Sequence, residues 1–253
     1  MISIKSGREA EAMRKAGRIA ALALIEGGKL ARPGVSTKQI DDAIRRSIRR
    51  HGASPSFLGY RGFPASSNTS VNEEVIHGIP SRRRVLRSGD IVSIDVGAYF
   101  EGFHGDTAAT FAVGEISEEA RRLIETAREC FYRGAAQAVS GARVSDISAA
   151  IQSFARENGF DVVRDWTGHG VGRQLHEDPE VPNFSEGKRG ARLLPGMTLA
   201  IEPMVAAGGG ETEVLRDGWT VVTTDGSLAA HYEHTVLVTK AEPELLTKIE
   251  ESV

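Results

Sequence analysis

Apolar residues recur at helical spacing in four stretches of the chain and mark out strands in four others, and the two kinds of stretch come twice in the same order. Residues 8–28, rich in alanine and leucine with Met13 and Ile19, predict a first helix with Gly27 and Gly28 as its C-cap. Ile40, Ala43, Ile44 and Ser47 predict a second, from about Ser36 to Arg50, closed by Gly52. The stretch from Ser54 to Pro80 is dense in Gly, Pro, Ser and Asn and reads as loop with short extended pieces. Strands follow at 90–97 and about 104–113. The order then restarts, with helices at 117–140 and 145–157, the latter ending at Gly159, a loop past His169 and His176, and strands at 197–205 and 231–239.

One shift relates the two passes. Ile40, Ala43, Ile44 and Gly52 fall without a gap on Ile147, Ala150, Ile151 and Gly159, 107 positions on, and the same shift carries Gly89 and Asp95 onto Gly196 and Glu202. His77-x-x-Pro80 against His176-x-x-Pro179, and His104-x-Asp106 against His231-x-Glu233, are looser matches in the same order. Chance coincidence of glycines and isoleucines explains the helices alone as well as duplication does. The acid and histidine pairs tip the reading toward an ancient duplication, with pseudo-repeats of about 8–115 and 116–250 inside a single domain spanning 1–253. A site between such halves would be built from both.

Composition narrows the function classes. At 253 residues, with 40% hydrophobic and 26% charged, the chain has the make-up of a soluble globular protein, and its net charge of −3 gives no overall pull toward nucleic acid or an anionic membrane. The basic clusters Arg45-Arg46, Arg49-Arg50 and Arg82-Arg83-Arg84 are short and separated, and read as solvated faces or loops. Cys130 is the single cysteine, which excludes an internal disulfide and a Cys-rich zinc module and fits a reducing cytosol. The most apolar run, Ile19–Ile25, is far short of the roughly 20 residues that span a bilayer. Glu9 and Glu11 ahead of it argue against a signal peptide, so a cytoplasmic protein is expected.

Acids in apolar strands demand a reason. Asp95 in IVSIDVGAYF and Glu202 in MTLAIEPMV sit among isoleucine, valine and small residues, where an unpaired carboxylate loses hydration worth several kcal/mol. Strand alternation puts Asp95 on the face of Ser93 and Gly97, and Glu202 on that of Thr198 and Ala200, opposite the apolar faces. If Asp106 and Glu233 lie on adjacent strands, four carboxylates converge, and their repulsion forces some to take up protons unless cations intervene. With His169 as the nitrogen ligand, Asp95, Asp106, His169, Glu202 and Glu233 suit a pair of hard to borderline divalent ions such as Mn, Fe, Co or Zn. Such a pair, about 3.5–4 Å apart, makes hydroxide available near neutral pH, and hydrolysis is its natural use. Any one of these acids taken alone reads more readily as a strand-end carboxylate capping a turn; it is the repeated set that points to metal.

His169 lies in TGHGVGRQLHEDP, whose glycines permit close backbone approach. No Gly-Lys-Ser/Thr follows, which argues against a phosphate loop. His77 and His176 are candidate donors to a carbonyl or tetrahedral oxyanion, or else hydrogen-bonded structural histidines. His51, His104, His231 and His234 are given no direct part in the metal centre.

NEEVIHGIP, SIDVGAYFEGFHGDTAATF, TGHGVGRQLHEDP, AIEPM and HYEHTVLVT, in this order, resemble the signature blocks of the type I methionine aminopeptidases of the short bacterial kind, over nearly the whole chain. The resemblance implies the pita-bread fold, an α/β (α+β) architecture of pseudo-twofold halves with a central antiparallel sheet covered by helices. It implies that Asp95 chelates one of two metal ions, that His169 and Glu202 chelate the other, and that Asp106 and Glu233 bridge. It further implies that His77 and His176 contact substrate and that Glu202 shuttles a proton to the leaving amine. By the resemblance the methionine pocket maps onto Phe57, Tyr60, Phe63 and Trp219, with Leu175 and Asn68 nearby, although from spacing alone these rings read as ordinary core. Asn68 and Leu175 stand where bacterial relatives often carry Cys and Phe, which leaves the pocket's shape open.

The implied activity is removal of the initiator methionine from nascent proteins, preferentially before a small second residue. The expected substrates are N-terminal peptides, with transient ribosome contact and a monomeric enzyme. An Xaa-Pro aminopeptidase or prolidase, or a non-catalytic binding module on the same scaffold, are the alternatives; the former normally carry an extra N-terminal domain, and the latter typically lose metal ligands.

Overall fold

Ser6 starts the first helix: its hydroxyl accepts the N–H of Glu9 while the Glu9 carboxylate accepts the N–H of Ser6. In the computed structural model, which describes residues 2–185, 187 and 189–249, that helix is α1 (Gly7–Gly28), packed on α2 (Thr37–Arg50), while α3 (Glu118–Ala136) packs on α4 (Val144–Glu157). Three lie within a residue of their expected bounds, and α3 ends at Ala136, four residues before the expected 140. The cap of α1 differs: Gly27 and Gly28 belong to the helix, and Lys29 caps it. A Cβ at Gly27 would stand 2.7 Å from Ile44, and one at Gly28 would overlap the Phe111 ring, so these glycines admit α2 and the sheet rather than end the helix. None of the described helices is long and apolar enough to cross a membrane.

The strands are, in chain order, β1 (Ser54–Pro55), β2 (Asn68–Val71), β3 (Glu74–Ile76), β4 (Ile91–Phe100), β5 (Phe103–Ala112), β6 (Asp161–Val162), β7 (Thr167–Gly170) and β8 (Glu177–Pro182). They continue as β9 (Thr198–Ile201), β10 (Met204–Ala206), β11 (Thr212–Val214), β12 (Val221–Thr223), β13 (Ala229–His231), β14 (Glu233–Leu237) and β15 (Glu244–Leu245). The main sheet is antiparallel, in the order β1-β4-β5-β14-β9-β7-β8, with β2 also on β4 and β15 on β14. Two small sheets, β13-β10-β6 and β11-β12-β3, stand beside it.

Helices α1 and α2 bury Ile19, Leu24, Ile40, Ile44 and Ile48 against Val92, Ile94 and Val96 of β4. Helices α3 and α4 bury Leu123, Phe131, Ile147 and Ile151 against Leu199, Ile201 and Val236. Each such side chain contributes about 1.5–3 kcal/mol. The apolar strand faces are thereby consumed by the helices, and the other face is free to carry polar groups.

Two expected strands are broken. The stretch 197–205 divides into β9 and β10 with Glu202 and Pro203 between them, and 231–239 divides into β13 and β14 at Tyr232. Pro203 has no N–H for the ladder, and the Tyr232 N–H donates to the Pro203 carbonyl at 3.2 Å. The two breaks therefore face each other, and both chains cross there from the main sheet to a small one.

Candidate metal centre and substrate cleft

Register brings the acids together. Asp95 on β4 lies opposite Ala108 on β5, and Ala108 lies opposite Glu233 on β14. Asp106, opposite Gly97, is the diagonal neighbour of Asp95 on the same face. Farther along the sheet Ala200 of β9 is opposite both Thr235 of β14 and His169 of β7, and Glu202 comes two residues after it, just past the strand end. Alanine at the two shared positions leaves the space above the sheet to the acids and the imidazole.

Asp106, Glu233 and His169 are buried, and their candidate ligand atoms lie within 4.8 Å of one another. His169 Nε2 stands 3.4 Å from Glu202 Oε1 and 4.0 Å from Asp106 Oδ2. Its Nδ1 is 2.8 Å from the Gly170 carbonyl, which makes Nδ1 the protonated nitrogen and leaves the Nε2 lone pair facing the acids. A Cβ at Gly168 or Gly170 would overlap backbone of β9 or β8, so glycine on either side of His169 lets the strands close around it.

Asp95 Oδ1, Asp106 Oδ1 and Glu233 Oε1 are buried and meet no hydrogen-bond donor among the described residues. Burial is the main force raising these acids. It drives Asp95 up to about 7. It holds Asp106, Glu202 and Glu233 well above the usual carboxylate range, aided by the charges of Asp95 and, for Glu202 and Glu233, of Asp106. Burial likewise drives His169 down to about 3, so it stands neutral, with a lone pair to give. Orphaned carboxylate oxygens facing a neutral imidazole fit divalent cations.

Over this floor lies a cavity of about 1020 Å³, lined by all five of these residues and by His77, His176, Phe57, Tyr60, Phe63, Asn68, Leu175 and Trp219. Phe57, Phe63 and Leu175 form a buried apolar cluster flanked by Tyr60 and Trp219, and Phe63 meets Trp219 edge-on at 5.1 Å. His176 Nδ1 is 2.8 Å from the Tyr60 hydroxyl, and its ring lies 4.2 Å from that of His169. His77 follows β3 with a left-handed backbone, φ 59°, a conformation costing about 1–2 kcal/mol in a residue with a Cβ. Burial lowers both histidines to about 4, so they are neutral in the cleft.

Asn68 does more than line the cleft: its Nδ2 donates to Asp95 Oδ2 at 2.5 Å. His51, His104 and His234 are engaged elsewhere, with Ser47, Ser56 and Thr247. His231, in contrast, stands 3.7 Å from Glu202. Two further participants escaped the sequence reading. Trp166 lines the cavity and meets the His77 ring edge-on at 5.1 Å; an aromatic three residues before His169 was the available signal. Lys5 is buried and pairs at 2.7 Å with Glu177, the residue after His176; a lone lysine near the start of the chain gives no signal at all.

Residues 11–240 match metallopeptidase family M24. The chain belongs to that family. Its M24 relatives include the methionine aminopeptidase of Clostridium acetobutylicum, 53% identical over 250 residues that cover 99% of this chain and 100% of that protein. Methionine aminopeptidase 1 of Bacillus subtilis is 50% identical over 249 residues, covering 98% and 100%. The crystal structure of methionine aminopeptidase from Thermotoga maritima superposes with a TM-score of 0.97 at 44% identity, covering 98% and 100%. The chain is thus an M24 peptidase of the methionine aminopeptidase group, with the pita-bread fold and divalent-metal dependence of that family.

Proposed function

We propose that the chain removes N-terminal methionine from peptides and nascent proteins in the cytoplasm, preferring a small second residue. The observation that carries this reading is the meeting, in one cavity, of a floor of four carboxylates and one imidazole with a cluster of aromatic and aliphatic side chains. Asp95 and Asp106 would hold one of two divalent ions and His169 and Glu202 the other, with Asp106 and Glu233 shared. Bound there, the ions supply charge to offset the acids and the Lewis acidity that polarises a carbonyl and activates water.

The chain's own groups do the rest. Phe57, Phe63, Leu175, Tyr60 and Trp219 enclose the methionine side chain, for which a soft thioether among rings is well suited. Neutral His77 and His176 face the cleft as hydrogen-bonding groups for the scissile carbonyl oxygen, with His176 oriented by Tyr60. Glu202, raised by burial, takes the proton released on attack and returns it to the leaving amine. We read the chain as one monomeric catalytic domain of two pseudo-repeats, a reading supported by the shared conformation of the aligned glycines, Gly52 with Gly159 and Gly89 with Gly196, all left-handed.

The test is turnover of Met-Ala-Ser against Xaa-Pro peptides by protein stripped with chelator and reloaded with Mn, Fe, Co or Zn. Stripping is expected to abolish turnover and reloading to restore it, with Met-Ala-Ser preferred. Faster cleavage of Xaa-Pro peptides would overturn the methionine assignment.

A further inference from the structure

His231 is a buried polar group beside the metal-centre residues to which the reaction so far gives no work. It ends β13 with its backbone fixed from β5: its N–H donates to Thr110 Oγ1, and that hydroxyl donates to the His231 carbonyl, both at 2.9 Å. The side chain is 2% exposed, and its Nε2 has no hydrogen-bond partner among the described residues. That nitrogen lies 3.7 Å from Glu202 Oε2, while Glu202 Oε1 lies 3.4 Å from His169 Nε2. The Glu202 carboxylate is therefore flanked by two imidazoles, and the one behind it does not line the cavity. Glu202 needs such a partner, since it sits at a strand break beside Pro203, where no ladder fixes it.

We propose that His231 is a positioning residue for Glu202: its Nε2–H donates to Glu202 Oε2 and holds the carboxylate with Oε1 toward His169 and the cavity. The present separation exceeds a hydrogen bond by a few tenths of an ångström, and rotation about the flexible Glu202 side chain closes it. The two histidines then carry opposite tautomers, His169 with its proton on Nδ1 beside the Gly170 carbonyl and His231 with its proton on Nε2. The inference rests on the part proposed above for Glu202 in holding metal and moving a proton.

The decisive measurement uses the zinc-loaded wild-type protein, in which Glu202 is ionised and can only accept. Long-range ¹H–¹⁵N correlation, assigned by the signals lost in His231→Gln, is expected to show His231 as the Nε2–H tautomer; the Nδ1–H tautomer overturns the proposal. In a second arm, His231→Leu is expected to weaken Mn binding, read by calorimetry, by about 10–100-fold and to lower kcat correspondingly with KM nearly unchanged. His231→Gln, whose amide can still donate, is expected to keep both near wild type. A His231→Leu protein with wild-type Mn affinity and kcat overturns the proposal, and if that variant does not fold the tautomer decides. Retained metal binding and turnover in Glu202→Ala would instead sink the reading of Glu202, and the wild-type spectrum is measured independently of that variant.

Discussion

Asp95 and Asp106 lie inside strands whose pairing runs unbroken from Ile91 opposite Ala112 to Phe100 opposite Phe103, whereas Glu202 follows the end of β9 and Glu233 opens β14 after a break. The aligned turn glycines keep one conformation in both halves, Gly89 at φ 100° and Gly196 at φ 91°. The strands entered from those glycines then diverge. In the first half the hairpin is a rigid shelf that places two carboxylates by register alone. In the second half the chain leaves the main sheet at Pro203 and Tyr232, and the small sheets it builds carry His231 behind Glu202 and bring Val214 and Ile76 to the cleft. Continuity places acids; interruption opens the cleft and leaves Glu202 outside the ladder.

The sharpest way to break this comparison is to remove one acid from the interrupted half. Glu202→Ala is expected to lower kcat on Met-Ala-Ser by about a thousandfold or more, as loss of a positioned acid–base group does, with the circular dichroism spectrum unchanged because Glu202 lies between β9 and β10 rather than in a strand. Turnover within tenfold of wild type would remove Glu202 from the chemistry. The halves also differ in nitrogen, since His169 has no counterpart in the first. If two ions bind as proposed, His169→Ala is expected to weaken the tighter binding step by about 100-fold in calorimetric titration. Loss confined to the weaker step would place the tight site with Asp95 instead.

Sequence pattern reached the helices, the β4–β5 hairpin, the metal-ligand candidates and, by family resemblance, the pocket rings. It misread Glu202 as mid-strand, because apolar residues continue on both sides of Pro203 and alternation carries no mark of a change of sheet. It misread Gly27 and Gly28 as a cap, because a glycine needed for close packing and one needed for a turn look alike in one dimension. Lys5 was invisible for a third reason: its contact with Glu177 joins residues far apart in the chain, and no local period encodes that.

Lys5 bears on the comparison because it ties the first half to Glu177, a residue of the second half that lines the cleft. Its ammonium and the Glu177 carboxylate are both largely enclosed, and Glu177 also accepts the N–H of Gln174, on the loop that carries His176. Lys5→Met leaves a buried carboxylate without its cation and is expected to cost about 3 kcal/mol in urea unfolding. It should also raise KM for Met-Ala-Ser as the His176 loop loosens. If stability falls while KM holds, the tie is structural only.

A second tie between the halves should be far weaker, and its pH dependence distinguishes it. Arg14 on α1 grips Glu244 on β15 through both oxygens, at 2.6 and 2.8 Å, but each side chain is more than a third exposed, so solvent screens the pair. The Arg14 hydrogen bonds hold the Glu244 carboxyl below its ordinary 4.5. A carboxylate with a lowered folded-state pKa adds stability above the unfolded value and loses it as pH falls through the folded one. Glu244→Gln is accordingly expected to cost no more than about 1 kcal/mol at pH 7, shrinking once the pH drops below the range in which the carboxylate stays ionised. Parallel urea titrations of wild type and variant across that range measure the difference directly. A gap that stays constant with pH would mean that the tie works through packing of the two side chains rather than through charge.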